Sequence, residues 1–221
     1  MFLNGIYGVF MVFDGNFDFR SHISGCISKA TSKFGWLKRS LVSRDLEVIL
    51  PAYKSLIRPH LEYCPQVWAP LPEHGNWNVI LSIESVQRQV TSIIRECDGM
   101  TYKQRLEKLN LTTLLERRMR GDLIETFKII NGFTDYGHQW FHISEWTGKL
   151  VLKNNSHQKR NFFADRVIKY YNRLPNSVKT DNTSVNMFKN KLDNFRNLYY
   201  RNITQNQYWE LSYNIFNRTQ C

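Results

Sequence analysis

The fold is decided by the stretch YKSLIRPHLEYC at residues 53–64, which is followed by Trp68. Its apolar side chains continue a pattern that starts upstream and recurs every three or four positions, so they share one face of a helix. These positions are Leu46, Ile49, Leu50, Tyr53, Leu56 and Ile57. Pro59 restricts the backbone of Arg58, and we therefore expect the helix to end there. Pro51 lies inside the same helix and predicts a kink, because proline removes a backbone donor.

The same spacing predicts further helices on both sides of this stretch. One apolar stripe precedes it and comprises Phe19, Ile23, Ile27, Ala30 and Phe34. A longer stripe follows it and comprises Val79, Ile80, Ile83, Val86, Val90, Ile93 and Ile94. Ser43 is a good N-cap for the helix that carries the opening stretch. Thr113 and Glu116 have the spacing of a capping box, and Gly132 suits the end of the helix that they open. With a short helix at 102–109, the sequence predicts a mainly α fold.

The remaining segments differ in composition and divide the chain into five parts. The expected parts are 1–18, a β-prone run and a turn that predict a short strand or hairpin; 19–132, the helical domain; 133–158, a long loop or linker with a short strand at 149–153; 159–200, a small basic helical segment; and 201–221, a polar tail. The assignment of each part depends on its periodicity and on its turn-forming residues.

The net charge of +11 favours an acidic polymer as partner, because phosphate neutralisation supplies most nonspecific affinity for nucleic acids. Residues 149–201 carry 12 Lys and Arg against 3 Asp and Glu, whereas the rest of the chain carries 18 against 16. We therefore expect RNA and DNA as partners, bound with low specificity. A solvated basic face without a partner is the alternative interpretation of the same charges.

The cysteine and histidine positions do not predict a metal site or a disulfide scaffold. The four cysteines form no Cys-x-x-Cys pair, and His138 with His142 is the one histidine pair at helical spacing. The apolar opening at residues 1–13 is too short to span a bilayer and lacks a basic leader. We accordingly expect no metal, no cofactor and no membrane in this chain, and an intracellular location in the nucleus or the cytoplasm.

A nucleic-acid polymerase needs paired carboxylates that hold two metal ions, and no such pair is evident. The string Phe163-Ala164-Asp165-Arg166 approaches a catalytic box but has Arg166 where a second acid would stand, and it lies within a helical pattern. No phosphate-binding loop, nucleophile elbow or dinucleotide fingerprint occurs in the sequence. We therefore expect no catalytic residues in this chain.

Several blocks resemble, in order and spacing, the reverse transcriptases of non-LTR (LINE-type, jockey-like) retrotransposons in the region behind their catalytic palm. Residues 84–90, ESVQRQV, resemble the Glu-Lys-Val-Gln-Arg-Arg-Ala block of the family. Residues 102–118 resemble its Tyr-x-x-Arg-Leu … Leu-x-Leu-x-x-Leu … Glu-x-Arg-Arg pattern. The other resembling blocks are 8–23, 53–68, 121–132 and 161–189. Pro51 departs from the family, which has a plain helix former there.

The resemblance implies a thumb-like helical region that grips template and primer. It also implies that residues 1–18 are a remnant of the palm, and that the magnesium and its acids belong to that palm, upstream of this chain. We therefore expect a C-terminal part of an RNA-directed DNA polymerase that binds nucleic acid without catalysis by itself. Its further partners would be the palm and fingers of the parent polymerase. Two alternatives stay open: a helical protein-interaction module, and a nonfunctional truncated copy of a mobile element.

The residues expected to contact nucleic acid are basic side chains that we place off the apolar stripes. They are Lys29, Lys33, Lys38, Arg39, Arg88, Lys159, Arg160, Arg166 and Lys169. Aromatic side chains interleave with the basic residues of the C-terminal third, as in proteins that stack single-stranded bases. Helical spacing favours a core position for five side chains of this region: Phe163, Val167, Phe188, Leu192 and Phe195.

Overall fold

The computed structural model describes residues 19–70, 76–153, 163–180 and 184–195. These residues are mainly helical with one short two-stranded sheet, which confirms the mainly α prediction. The helices are α1 (Arg20–Ser40), α2 (Leu46–Ala52), α3 (Arg58–Glu62), α4 (Pro65–Trp68), α5 (Trp77–Ser92), α6 (Tyr102–Lys108), α7 (Leu114–Ile130), α8 (Phe163–Arg173) and α9 (Asn176–Lys179). Residues 185–195 are also helical. The predicted strand and turn at 1–18 and the predicted tail at 201–221 lie outside the described residues.

The chain divides into two compact units, Met1–Arg118 and Met119–Cys221. The division therefore falls within α7. The segment 133–158, expected to be a loop or linker, contains the two strands of the sheet, β1 (Phe141–Ile143) and β2 (Leu150–Leu152). The short strand expected at 149–153 is thus confirmed as β2.

In the first unit, α1 packs against α3, α5 and the helical turn before α3. Its buried side chains include Ile23, Ala30 and Phe34 from the predicted stripe, together with Cys26 and Leu37. Because these positions recur every three or four residues, one side of α1 is apolar and buried while the other faces solvent.

The helix changes type between Pro51, two positions before the opening stretch, and Pro59 within it. A π-helical turn at Tyr53–Ile57 separates α2, which contains Pro51, from α3. The expectation that Pro59 ends the helix is wrong, since helical structure continues to Glu62. Pro59 instead lies in the first turn of α3, where its missing N–H would have no intrahelical partner in any case.

The start of α2 also differs from the expectation. Asp45, not Ser43, occupies the N-cap position. The Ser43 hydroxyl accepts a hydrogen bond from the Asp45 N–H at 3.1 Å, so it orders the residues just before the helix. Ser43 therefore acts as a local turn former two residues upstream of the cap.

The predicted capping box at α7 is confirmed. The Thr113 N–H donates to Glu116 Oε2 at 3.0 Å, and the Glu116 N–H donates to Thr113 Oγ1 at 3.1 Å. Gly132, just beyond the end of α7, has φ of +71°, a conformation that glycine adopts without a Cβ clash.

The second unit is built on the C-terminal part of α7, the β-hairpin, α8 and residues 185–195. The rings of Phe127 and Phe188 are stacked with centroids 4.2 Å apart. The Asn172 side chain of α8 bonds both backbone groups of Leu150, with distances of 2.8 and 2.9 Å. Phe188 and Leu192 are buried, as their spacing predicts.

The buried face of α5 gives a direct test of this fold. Ile83 is 1% exposed, so Ile83→Asp would place an unpaired carboxylate in the core of the first unit. We expect a loss of more than about 4 kcal/mol, comparable with the stability of a whole domain, and hence no cooperative unfolding transition. Thermal denaturation followed by circular dichroism measures this. Ser82→Asp, at an exposed neighbouring position, is the control and should melt like the unchanged chain; identical curves for both variants would disprove the assignment.

Candidate nucleic-acid interface

The solvent face of α1 carries four of the predicted contact residues, and all four are exposed: Lys29, Lys33, Lys38 and Arg39. An α-helix turns about 100° per residue, so Lys29, Lys33 and Arg39 fall within an arc of about 120°. Lys38 lies on a different side of the helix. We call Lys29, Lys33 and Arg39 the α1 cationic face.

The charge of this face acts on neighbouring side chains in the first unit. The pKa of His60 in α3 is lowered by burial and by the nearby Lys33 and Lys29 charges. The pKa of His22 is likewise lowered by burial and then by Lys29. The positive field at this face therefore extends to α3, and both histidines are biased toward their neutral forms.

Arg88, the candidate on α5, is engaged within the first unit. Its guanidinium carbon lies 4.6 Å from the centre of the Tyr102 ring, and that of Arg105 lies 5.7 Å from the same ring. The Nε and Nη2 atoms of Arg88 are buried. Arg88 therefore contributes cation–π packing between α5 and α6 rather than a freely exposed charge.

The candidates in the C-terminal third have different environments. Lys169 on α8 is exposed, whereas Lys159 and Arg160 lie outside the described residues. The expectation that Arg166 is an exposed contact residue is wrong, because its side chain is only 1% exposed. Its Nε and Nη2 donate to the two carboxylate oxygens of Asp122 at 2.8 and 2.9 Å. Arg166 follows Phe163 by three positions, a spacing that places it on the buried face of α8.

A buried polar network connects three helices of the first unit and was not predicted. Glu84 of α5 accepts hydrogen bonds from the Tyr102 hydroxyl and, at 2.8 Å, from the Leu114 N–H at the start of α7. Gln87 donates to Tyr102 Oη at 2.8 Å and accepts from the Tyr53 hydroxyl at 2.6 Å. Burial raises the pKa of Glu84 to about 7, although the Tyr102 hydrogen bond, the Arg118 charge and the Leu114 N–H act in the opposite direction.

The residues of this network come from three of the sequence blocks described above. Glu84 and Gln87 belong to the 84–90 block, Tyr102 opens the 102–118 block and Tyr53 opens the 53–68 block. Arg117 extends the pattern by an ion pair with Glu62 of α3. The sequence contains one signal for this network. Glu84 and Gln87 lie three positions apart inside the apolar stripe of α5, and polar side chains in such a stripe are typical of buried groups with hydrogen-bond partners.

His138 and His142 line a cavity of about 330 Å³ in the second unit. Ile129, Phe141 and Leu150 form much of its apolar wall, and Lys153 also lines it. The His138 Nε2 lies 2.6 Å from the Thr134 carbonyl oxygen, so this nitrogen is engaged with the backbone. The histidine pair is thus part of a mostly apolar pocket.

Within residues 19–70, 76–153, 163–180 and 184–195, no group of three or more His, Cys, Asp or Glu side chains is arranged to hold a metal ion. In the same described part of the chain, no helix is long and apolar enough to cross a membrane. Asp165 lies in the first turn of α8, so the string at 163–166 is helical as predicted.

Comparisons of the chain with protein-family models, with curated proteins and with solved structures gave no match in any of the three cases.

The Glu84 carboxyl should make stability depend on pH. Its pKa rises from an ordinary value of 4.5 to about 7 on folding, so its stabilising contribution is complete below about pH 4.5 and is lost as pH rises to about 7. The expected loss is of the order of 3 kcal/mol. Glu84→Gln should abolish this dependence, because a Gln carbonyl can accept from Leu114 and its amide can donate to Tyr102.

Urea unfolding of both proteins at pH 4.5, 5.5, 6.5 and 7.5 measures the effect. The difference between the two curves isolates Glu84, because His22 and His60 titrate in both proteins. A difference that stays constant across this range would refute the assigned role of the carboxyl.

Breaking the buried Arg166–Asp122 pair should lower the free energy of unfolding far more than breaking an exposed ion pair. Asp122→Ala leaves the Arg166 guanidinium buried without its carboxylate, and we expect a loss of about 3–5 kcal/mol in unfolding free energy. Asp193→Ala is a matched control, since Asp193 bonds Arg120 through two oxygens at 2.6 and 2.7 Å but is 44% exposed. That change should cost about 1 kcal/mol or less. Equal losses in denaturant unfolding would contradict the buried assignment.

Proposed function

We propose that this chain is a helical nucleic-acid-binding region that holds sugar–phosphate backbones and performs no catalysis by itself. The observation that carries the proposal is the α1 cationic face. Lys29, Lys33 and Arg39 are exposed along one side of α1, and the adjoining apolar side packs against α3 and α5. Exposed cations on a rigid helix suit phosphate contacts, because they keep their charge and stay at fixed spacing.

The geometry of the face favours contacts to the backbone of RNA or DNA without reading of the bases. From Lys29 to Arg39 the helix rises by about 15 Å, which corresponds to roughly 4 nucleotides of a stacked strand. Long flexible side chains that meet phosphates position a strand but carry no sequence information. Lys38 and Lys169, which are also exposed, are secondary contacts in this proposal, and Lys159 and Arg160 stay predictions from the sequence.

The identity that best accommodates this role is a thumb-like region related to non-LTR retrotransposon reverse transcriptases. The buried network supports it, because residues from three separate resembling blocks meet there: Tyr53, Glu84 with Gln87, and Tyr102. A spacing pattern that arose by chance would not need to bring these side chains together. Magnesium-dependent chemistry would then belong to a palm outside this chain, and the site of action would be the nucleus or the cytoplasm.

A helical protein-interaction module is the second candidate function. Val42, Val48 and Leu56 of the first unit are exposed apolar side chains, and such groups can dock on a partner protein. The two functions differ in their response to salt. Binding to nucleic acid weakens steeply as salt increases, whereas docking of apolar side chains does not.

Neutralising the α1 cationic face should reduce both affinity and its salt dependence. We expect a chain with Lys29→Gln, Lys33→Gln and Arg39→Gln to bind RNA and DNA more weakly. The slope of log affinity against log salt should fall by about 2–3, at roughly 0.7–0.9 per phosphate contact. Fluorescence anisotropy of labelled oligonucleotides from 50 to 300 mM salt measures both quantities.

A charge-matched control separates this face from the net charge of the protein. Lys54→Gln, Lys103→Gln and Lys149→Gln remove three cations that are equally exposed but lie elsewhere. This control should keep most of the slope. If the two triple variants bind alike, the charge acts only as a diffuse field and the proposed site on α1 is wrong.

A further inference from the structure

We propose that Trp36 of α1 is a stacking platform for an unpaired base, so that the α1 cationic face prefers single-stranded nucleic acid to a duplex. This inference rests on the proposed function and names the form of nucleic acid that the same site would take. It depends on two observations, the exposure of the indole and its position among the cations. Both suit the exposed bases and phosphates of a single strand.

Trp36 is 53% exposed although it lies in the last two turns of a helix that packs against α3 and α5. The apolar face of α1 already contains Phe34 and Leu37, so the unit has buried aromatic and aliphatic groups on either side of this position. Burial of a large aromatic side chain lowers the free energy by more than burial of a smaller apolar one. An indole that is half exposed therefore keeps apolar surface that a ligand can cover.

The indole lies inside the arc of the α1 cationic face. Trp36 follows Lys33 by three positions and precedes Arg39 by three, while Lys29 is two turns away on the same side. The Arg39 Nη1 lies 3.7 Å from the place that a Cβ of residue 35 would occupy, so this guanidinium folds back along the helix toward Gly35. A flat apolar ring is thus flanked by three positive charges along about 15 Å of helix.

This combination fits a single strand better than the other anionic polymers or surfaces. An unpaired base offers a free face to an aromatic ring, and the phosphates on either side of it meet cations at this spacing. In a duplex the base faces are already stacked on one another, so the indole gains nothing there and only the cations contribute. Stacking is tolerant of sequence because every base has such a face.

The experiment measures binding of an eight-nucleotide single strand and of a matched duplex by fluorescence anisotropy at one salt concentration. Trp36→Leu should weaken single-strand binding by about 5- to 100-fold, the loss of one base–aromatic contact. Duplex binding should change by less than about 2-fold, and the salt slope should stay the same because no phosphate contact is removed. Trp36→Phe, which keeps a ring, should restore most of the affinity.

Trp146→Leu is the matched control. This tryptophan is 97% exposed in the turn between the two strands of the hairpin, and its loss should leave both affinities unchanged. Unfolding midpoints of the three variants should equal that of the unchanged chain, and the ratio of single-strand to duplex affinity reports on Trp36 independently of any shared loss.

Three results would overturn the inference. Equal single-strand affinity for the Trp36→Leu variant and the unchanged chain, with the salt slope intact, would remove the stacking role and leave the proposed function standing. Equal weakening toward single strand and duplex would remove the preference. The third result is Trp36-dependent binding to vesicles that contain anionic phosphatidylserine, together with no oligonucleotide binding by the unchanged chain. It would contradict both proposals and indicate that this face binds a membrane surface.

Discussion

The packing of the first unit depends on one buried carboxyl group. Glu84 lies at the centre of α5 and is 1% exposed, and a carboxyl group in that position is tolerated only where hydrogen-bond partners converge on it. The Tyr102 hydroxyl and the Leu114 N–H are those partners, from α6 and from the first residue of α7. Because each donor has a short allowed range of distance and angle, the three elements are held in one arrangement. Helix α1 packs across α5, so the direction in which its cationic face points follows from this arrangement.

The polar residues of this network are therefore inside the unit, and the α1 cationic face is outside. Tyr53, Glu84, Gln87 and Tyr102 bond one another or the backbone. The network and the α1 cationic face therefore belong to different helices: the network holds α5, α6 and the start of α7 together, and α1, which carries Lys29, packs on α5. A change that removes binding should accordingly leave folding intact, and the reverse separation should hold for mild changes in the network.

Local signals in the sequence predict most of the helices. They fail where contacts with residues distant in sequence determine whether a side chain is buried. The stripe of α1, the capping box of α7 and the strand at β2 each depend on residues close in sequence, so spacing alone revealed them. The prediction for Pro59 is wrong because a π-helical turn ends just before it and a new helix, α3, begins at Arg58. Pro59 therefore lies in the first turn of α3, where a missing N–H costs no intrahelical hydrogen bond. Arg166 was assigned to solvent by its charge. Its partner Asp122 is 44 residues away in sequence, and no local pattern reveals such a pair. The polar residues inside the α5 stripe indicate buried groups, but they do not reveal their partners, which lie 15 to 34 residues away in sequence.

The central claim is that nucleic acid contacts this protein through one face of α1. Acetylation of lysine side chains in the presence of a saturating single-stranded oligonucleotide, followed residue by residue by mass spectrometry, tests it without any substitution in the protein. A lysine ammonium in contact with phosphate should react more slowly, since its nitrogen is both covered and kept protonated by the neighbouring negative charge. The account predicts strong protection of Lys29 and Lys33, while Lys54, Lys103 and Lys149 react as they do in the free protein. Uniform protection of all five lysines, or unchanged reactivity of Lys29 and Lys33 in a saturated complex, would contradict it.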